Sequence, residues 1–80
     1  MYKKIAQLIK KMVNESPYCN HLFTCDIYST NTDGFWAVTL RFTDRNNAHS
    51  AALVDSLHSI GMVYGEGLGI EDKGSVVEVS

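Results

Sequence analysis

One proline, two cysteines and no long apolar run are the first constraints that this chain of 80 residues sets. A membrane-spanning helix needs about 20 consecutive apolar residues, so no membrane partner is expected. The opening Met1-Tyr2-Lys3-Lys4-Ile5 lacks the uninterrupted apolar stretch and small-residue cleavage site of a secretory signal, and the expected location is the cytoplasm. Cys19 and Cys25 are too few for a disulfide framework, and in a reducing compartment two free thiols are the expectation. A single proline with six glycines, beside 45% hydrophobic residues, excludes the composition of disordered or low-complexity chains. A chain of this length buries only about 60% of the surface its unfolded form exposes, so one domain over residues 1–80, with one core, is expected.

Basic charge is scarce after residue 13, and that scarcity sorts the molecule. Residues 1–13 hold Lys3, Lys4, Lys10 and Lys11 with no acid among them, a net of +4. Residues 14–80 hold three basic residues against nine acidic ones, a net of −6, which gives −2 for the whole. Two candidate contact surfaces of opposite sign follow.

What is present is periodicity. Ile5, Leu8, Ile9 and Met12 recur at spacings of three and four, widened by Tyr2, Ala6 and Val13, so residues 2–13 are predicted to be an amphipathic helix with the lysines opposite. Asn14, Ser16 and Pro17 end it, because the residue before proline is pushed out of the helical region. The period then changes to two. Phe23, Cys25 and Ile27 alternate with Thr24, Asp26 and Tyr28, and Trp36, Val38, Leu40 and Phe42 alternate with Ala37, Thr39, Arg41 and Thr43. Asn31-Thr32-Asp33-Gly34 between them supplies residues that tolerate positive φ, so the pair is predicted to be a β-hairpin with its apolar face as the main half of the core.

A second helix is expected to start at a cap among Asp44, Asn46 and Asn47 and to run to Ile60, with Gly61 closing it. Leu53, Val54, Leu57 and Ile60 are its core stripe; Ala48, Ala51, Ala52, Asp55 and Ser59 form a reverse side of small residues. Met62-Val63-Tyr64 reads as strand, the glycines at 65, 67 and 69 interrupt it around Leu68 and Ile70, Asp72-Lys73-Gly74 reads as a turn, and Val76, Val77 and Val79 form the last strand. The expected fold is α+β, in the order α-β-β-α-β-β: a four-stranded, mostly antiparallel sheet with two helices packed on one face.

Site chemistries largely fail on context. Gly65-Glu66-Gly67-Leu68-Gly69 is followed by a turn with two carboxylates rather than a helix, so a phosphate loop is not expected. Cys19, His21 and Cys25, even with His49 or His58, do not have the usual zinc-knuckle spacing, and Cys25 falls on the apolar face of a strand. Cys19 with His21 or His49 is the only dyad available for nucleophilic catalysis, without a third group or an oxyanion loop, and no enzymatic activity or cofactor is expected.

Two binding surfaces remain. The acidic one takes Asp26 and Tyr28 from the outward face of the first hairpin and Asp33 from its turn. It adds Asp55, Tyr64, and the run of Glu66, Glu71, Asp72 and Glu78 near the C-terminal hairpin. Carboxylates mixed with tyrosine suit docking on a basic surface of another protein, such as a nucleic-acid-binding groove. The expected function is therefore a non-enzymatic protein-binding module, an inhibitor or regulator of a host protein. No family resemblance supports it; the analogy is one of class, to the small acidic anti-CRISPR inhibitors that phages and mobile elements carry. The alternative is a nucleic-acid-binding regulator that uses Lys3, Lys4, Lys10 and Lys11, although no aromatic residue interleaves them to stack bases. A homodimer through Ala48, Ala51, Ala52 and Asp55, or through the edge of the terminal strand, is the remaining candidate.

Overall fold

The computed structural model describes residues 1–30, 34–64 and 68–80. Its elements run α1 (Lys3–Glu15), β1 (Phe23–Ser29), β2 (Trp36–Phe42), α2 (Ala48–Tyr64), β3 (Ile70–Asp72) and β4 (Val76–Val79), which is the expected α+β order. The four strands form one antiparallel sheet in the order β1-β2-β4-β3. Among the described residues no helix is long and apolar enough to cross a membrane.

α1 forms because its apolar residues fall on one stripe, of which Ile5, Ala6, Ile9 and Val13 are buried. It runs two residues past the expected end at residue 13 and stops at Glu15: Ser16 is extended at ψ 137°, as the residue before Pro17 must be, and its N–H still donates to the Val13 carbonyl at 3.1 Å. Tyr2 departs from the helical reading. It bridges to Phe35 as an extended residue ahead of the helix, while Met1 pairs with Trp36 through two backbone hydrogen bonds of 2.7 and 3.0 Å. This pairing with the sheet competes successfully with one more helical turn.

The hairpin is in the register that the alternation implies. Phe23 faces Phe42, Cys25 faces Leu40 and Ile27 faces Val38. β2 then pairs with β4, Leu40 against Val77 and Val38 against Val79, so one continuous apolar face crosses three strands. Helices cover that face: Ile9 and Val13 of α1 and Leu53, Val54 and Leu57 of α2 belong to the same buried cluster as Val38, Leu40, Val77 and Val79. Burying each large member contributes about 1.5–3 kcal/mol.

α2 is capped by Asn47, whose Oδ1 accepts the His49 N–H at 2.8 Å. The helix does not stop at Gly61. It continues to Tyr64, so the expected strand at 62–64 is helix instead. Gly61 lacks the positive φ of a helix-closing glycine; among the described glycines only Gly34 and Gly74 have it. An interior glycine costs about 1 kcal/mol relative to alanine. Half-buried Ile60 lines an apolar groove with Leu8 and Met12 of α1, whereas Met62 and Val63 in the last turn are exposed. The final hairpin is correspondingly short, turning at Gly74 with φ +87°.

Candidate functional site

Side chains alternate along a strand, so the pairing registers define what the uncovered sheet face displays. Asp26 of β1 pairs with Thr39 of β2, Thr39 with Glu78 of β4, and Glu78 with Glu71 of β3. These four residues form one row across the whole sheet, with three carboxylates in it. Glu71 and Glu78 directly opposite each other would repel, but Lys73 lies between them, its Nζ 3.0 Å from Glu78 and 3.8 Å from Glu71. Those two contacts raise the Lys73 pKa, led by the Glu78 hydrogen bond, with a smaller contribution from Tyr28.

The neighbouring rows on the same face are different in character. On one side Thr24 and Arg41 lie opposite each other. On the other, Tyr28 lies opposite Ala37, and Phe35 follows on the same parity. Tyr2 stacks on Phe35 with ring centroids 5.9 Å apart. Tyr2, Tyr28 and Phe35 are all exposed large side chains, so the open face carries an aromatic end beside an acidic row. The small side chains beneath them, Ala37 and Thr39, are buried without any helix above them. Taller neighbours on both flanks account for this.

The sequence pattern therefore located Asp26, Tyr28 and Glu71 on one surface, and the structure brings them together with Glu78. It does not bring the whole expected acidic set together. Asp72 follows Glu71 in β3 and so points to the helix-covered side. There its two carboxylate oxygens each accept a 2.7 Å hydrogen bond from the Arg45 guanidinium, and Oδ1 also accepts the Gly74 N–H at 2.9 Å. Asp55 is exposed on α2, on the far side of the molecule from the sheet's open face. Asp33, Glu66 and the side chain of Tyr64 lie outside what is described. Tyr2 and Phe35 were missed in the sequence reading. Tyr2 fits the helical stripe by spacing, and Phe35 sits against a turn.

Arg45 holds the Asp72 carboxyl well below the usual carboxylate range, with the Gly74 N–H adding to the effect. A carboxyl lowered on folding stabilises the native state above its unfolded value of about 3.9, and that stabilisation is lost as pH falls through the folded value. Asp72→Asn should therefore melt lower than the wild type at neutral pH, and the difference should shrink as the pH drops below about 4. Thermal melts across that range check it; a difference independent of pH would contradict the assignment. The effect is modest because the pair is solvent-exposed.

The lysines of α1 are dispersed among intramolecular partners. Lys10 Nζ donates to the Cys25 carbonyl at 3.1 Å, Lys3 lies 4.9 Å from the Trp36 ring centroid, and Lys11 is 3.9 Å from Glu15. Lys4 is exposed. Cys19 and Cys25 are both free thiols; burial pushes the Cys25 thiol up to about 11, although Lys10 acts in the opposite direction. Such a thiol is protonated and unreactive at neutral pH. Among the described residues no three His, Cys, Asp or Glu side chains gather as a metal site. Of the two dimer surfaces expected, Ala48, Ala51, Ala52 and Asp55 are exposed on α2, but the terminal strand offers no edge: β4 is flanked by β2 and β3. The edges are β1 and β3. Comparison with family models, curated proteins and solved structures finds no match to this chain.

Proposed function

We propose that the protein is a non-enzymatic binding module that docks on another protein through the open face of its sheet. The observation that carries this reading is the placement of Tyr2, Phe35 and Tyr28 beside the row Asp26, Thr39, Glu78 and Glu71 on a face with no helix over it. Exposed aromatics supply rigid contact area, and they are enriched where protein surfaces bind. Carboxylates beside them choose a basic partner and speed encounter. A surface that reads nucleic acid presents cations and aromatic stackers, and this face offers both a matching group. The finer reading is that of an inhibitor, which occupies a host protein's nucleic-acid-binding surface in the manner of a phage-encoded anti-CRISPR protein.

The test uses immobilised wild type, Tyr28→Ala and Asp26→Lys against a host lysate, with and without competing nucleic acid. The expected result is a protein retained by wild type, displaced by nucleic acid, and bound at least about tenfold more weakly by either variant. Equal retention by all three would remove the open face from the reading. Direct binding of DNA or RNA by the protein alone, falling steeply with salt and lost on changing Lys3, Lys4, Lys10 and Lys11 to glutamine, would favour the nucleic-acid-binding regulator instead.

A further inference from the structure

β1 is an edge strand seven residues long, and its outer edge is only partly used. Hydrogen bonds from Thr43 N–H to the Leu22 carbonyl and from Thr30 N–H to the Phe35 carbonyl fix the alternation: even-numbered residues of β1 bond to β2. The backbone groups of residues 23, 25, 27 and 29 then point away from the sheet. The Phe23 carbonyl accepts the Asn20 N–H at 2.8 Å, and the Cys25 carbonyl accepts Lys10 Nζ. Among the described residues the N–H and carbonyl of Ile27 and Ser29 have no such partner.

A groove of about 430 Å³ runs beside this stretch, lined by Gln7, Lys10, Lys11, Asn14, Glu15 and Ile27. Its floor is strand edge and its wall is the polar side of α1. Lys11 is partly balanced by Glu15 at 3.9 Å, whereas the Lys10 ammonium rests on a neutral carbonyl. Lysine at an edge usually guards it against pairing. Here the ammonium covers one carbonyl and leaves the next two residues open.

We infer that this edge accepts an extended segment of a partner protein as a fifth strand, with carboxylates at alternate positions. Main-chain bonds to Ile27 and Ser29 would supply affinity, and side chains at alternate positions would supply selectivity. Those facing the groove meet Lys10 and Lys11, which favours glutamate or aspartate. Those facing the other way lie next to Asp26 and Tyr28, which favours neutral or basic residues. An incoming carboxylate recruits Lys10 from the Cys25 carbonyl, and a peptide N–H takes its place. The site lies beside the open face and is independent of the function proposed for it.

The probe is a blocked peptide of about nine residues alternating threonine and glutamate, titrated into isotope-labelled protein. The amide signals of Ile27 and Ser29 should move together with those of Gln7, Lys10 and Lys11, and the Ile27 amide should exchange at least about tenfold more slowly at saturation. A backbone N-methylated peptide, and one with lysine for glutamate, should each bind at least about tenfold more weakly, as should Lys10→Glu and Lys11→Glu variants that melt like the wild type. Equal binding of the N-methylated or lysine peptide overturns the inference. So do an absence of shifts at millimolar peptide and shifts confined to Thr39, Glu71 and Glu78. Self-association through β1, seen as a doubled mass that the peptide does not reverse, gives the edge to a second copy and also overturns it.

Discussion

Leu40→Ala should lower the stability of the protein by about 2–5 kcal/mol, the usual range for emptying a fully buried leucine site. Leu40 has no exposed surface and lies at the centre of the sheet, with Cys25 on one side and Val77 on the other. Strands on both flanks and helices above prevent the site from collapsing around the missing atoms, so a cavity persists. A domain of this length is stable by only about 4–12 kcal/mol in total. The variant should therefore unfold at a much lower denaturant midpoint, with much of it unfolded at body temperature. Equilibrium urea unfolding gives the number; a loss under about 1 kcal/mol would mean that the sheet centre is not the core.

Leu57→Ala should cost about 2–3 kcal/mol, at the lower end of the same range, and the loss should be distributed differently. Among the described side chains, Leu57 is the one large residue of α2 with no exposed surface. Beyond Ile60 the helix runs to its end with Met62 and Val63 at 85% and 78% exposure, so its last turn adds little anchorage. The helix can slide inward over a smaller side chain, which a central strand cannot. Native-state hydrogen exchange should show α2 amides losing more protection than β2 amides. An equal fall in both elements would show that helix and sheet open only together.

These two sites also indicate what was legible in the sequence. The period of two from Phe23 to Phe42 specified the hairpin and the identity of its buried face, and the pairing of Phe23 with Phe42 is consistent with it. The spacing of Ile5, Ile9 and Val13 specified α1. Gly61 misled, because an interior glycine costs a helix only about 1 kcal/mol and ends it only where it takes a positive φ, which Gly61 does not. Asp72 misled differently: read as the start of a turn, it is the last residue of β3, and because adjacent strand residues face opposite ways it points away from Glu71, toward Arg45. The open face was half legible. Its acids follow from alternation, whereas its aromatic end depends on the chain start pairing with Phe35, a contact between residues far apart in sequence.

The strand order has a kinetic consequence. Only residues 30–35 separate β1 from β2 in the sequence, and residues 73–75 separate β3 from β4, so both hairpins are local events on the microsecond scale. β2 and β4 meet only when residues such as Leu40 and Val77 are brought together from opposite halves of the chain, with α2 carried along in the connection. That closure loses loop entropy before any core contact compensates it. Neither hairpin is stable alone in water. The barrier to folding therefore sits at the β2–β4 seam, and the residues lining that seam govern how fast the molecule forms as well as how long it lasts.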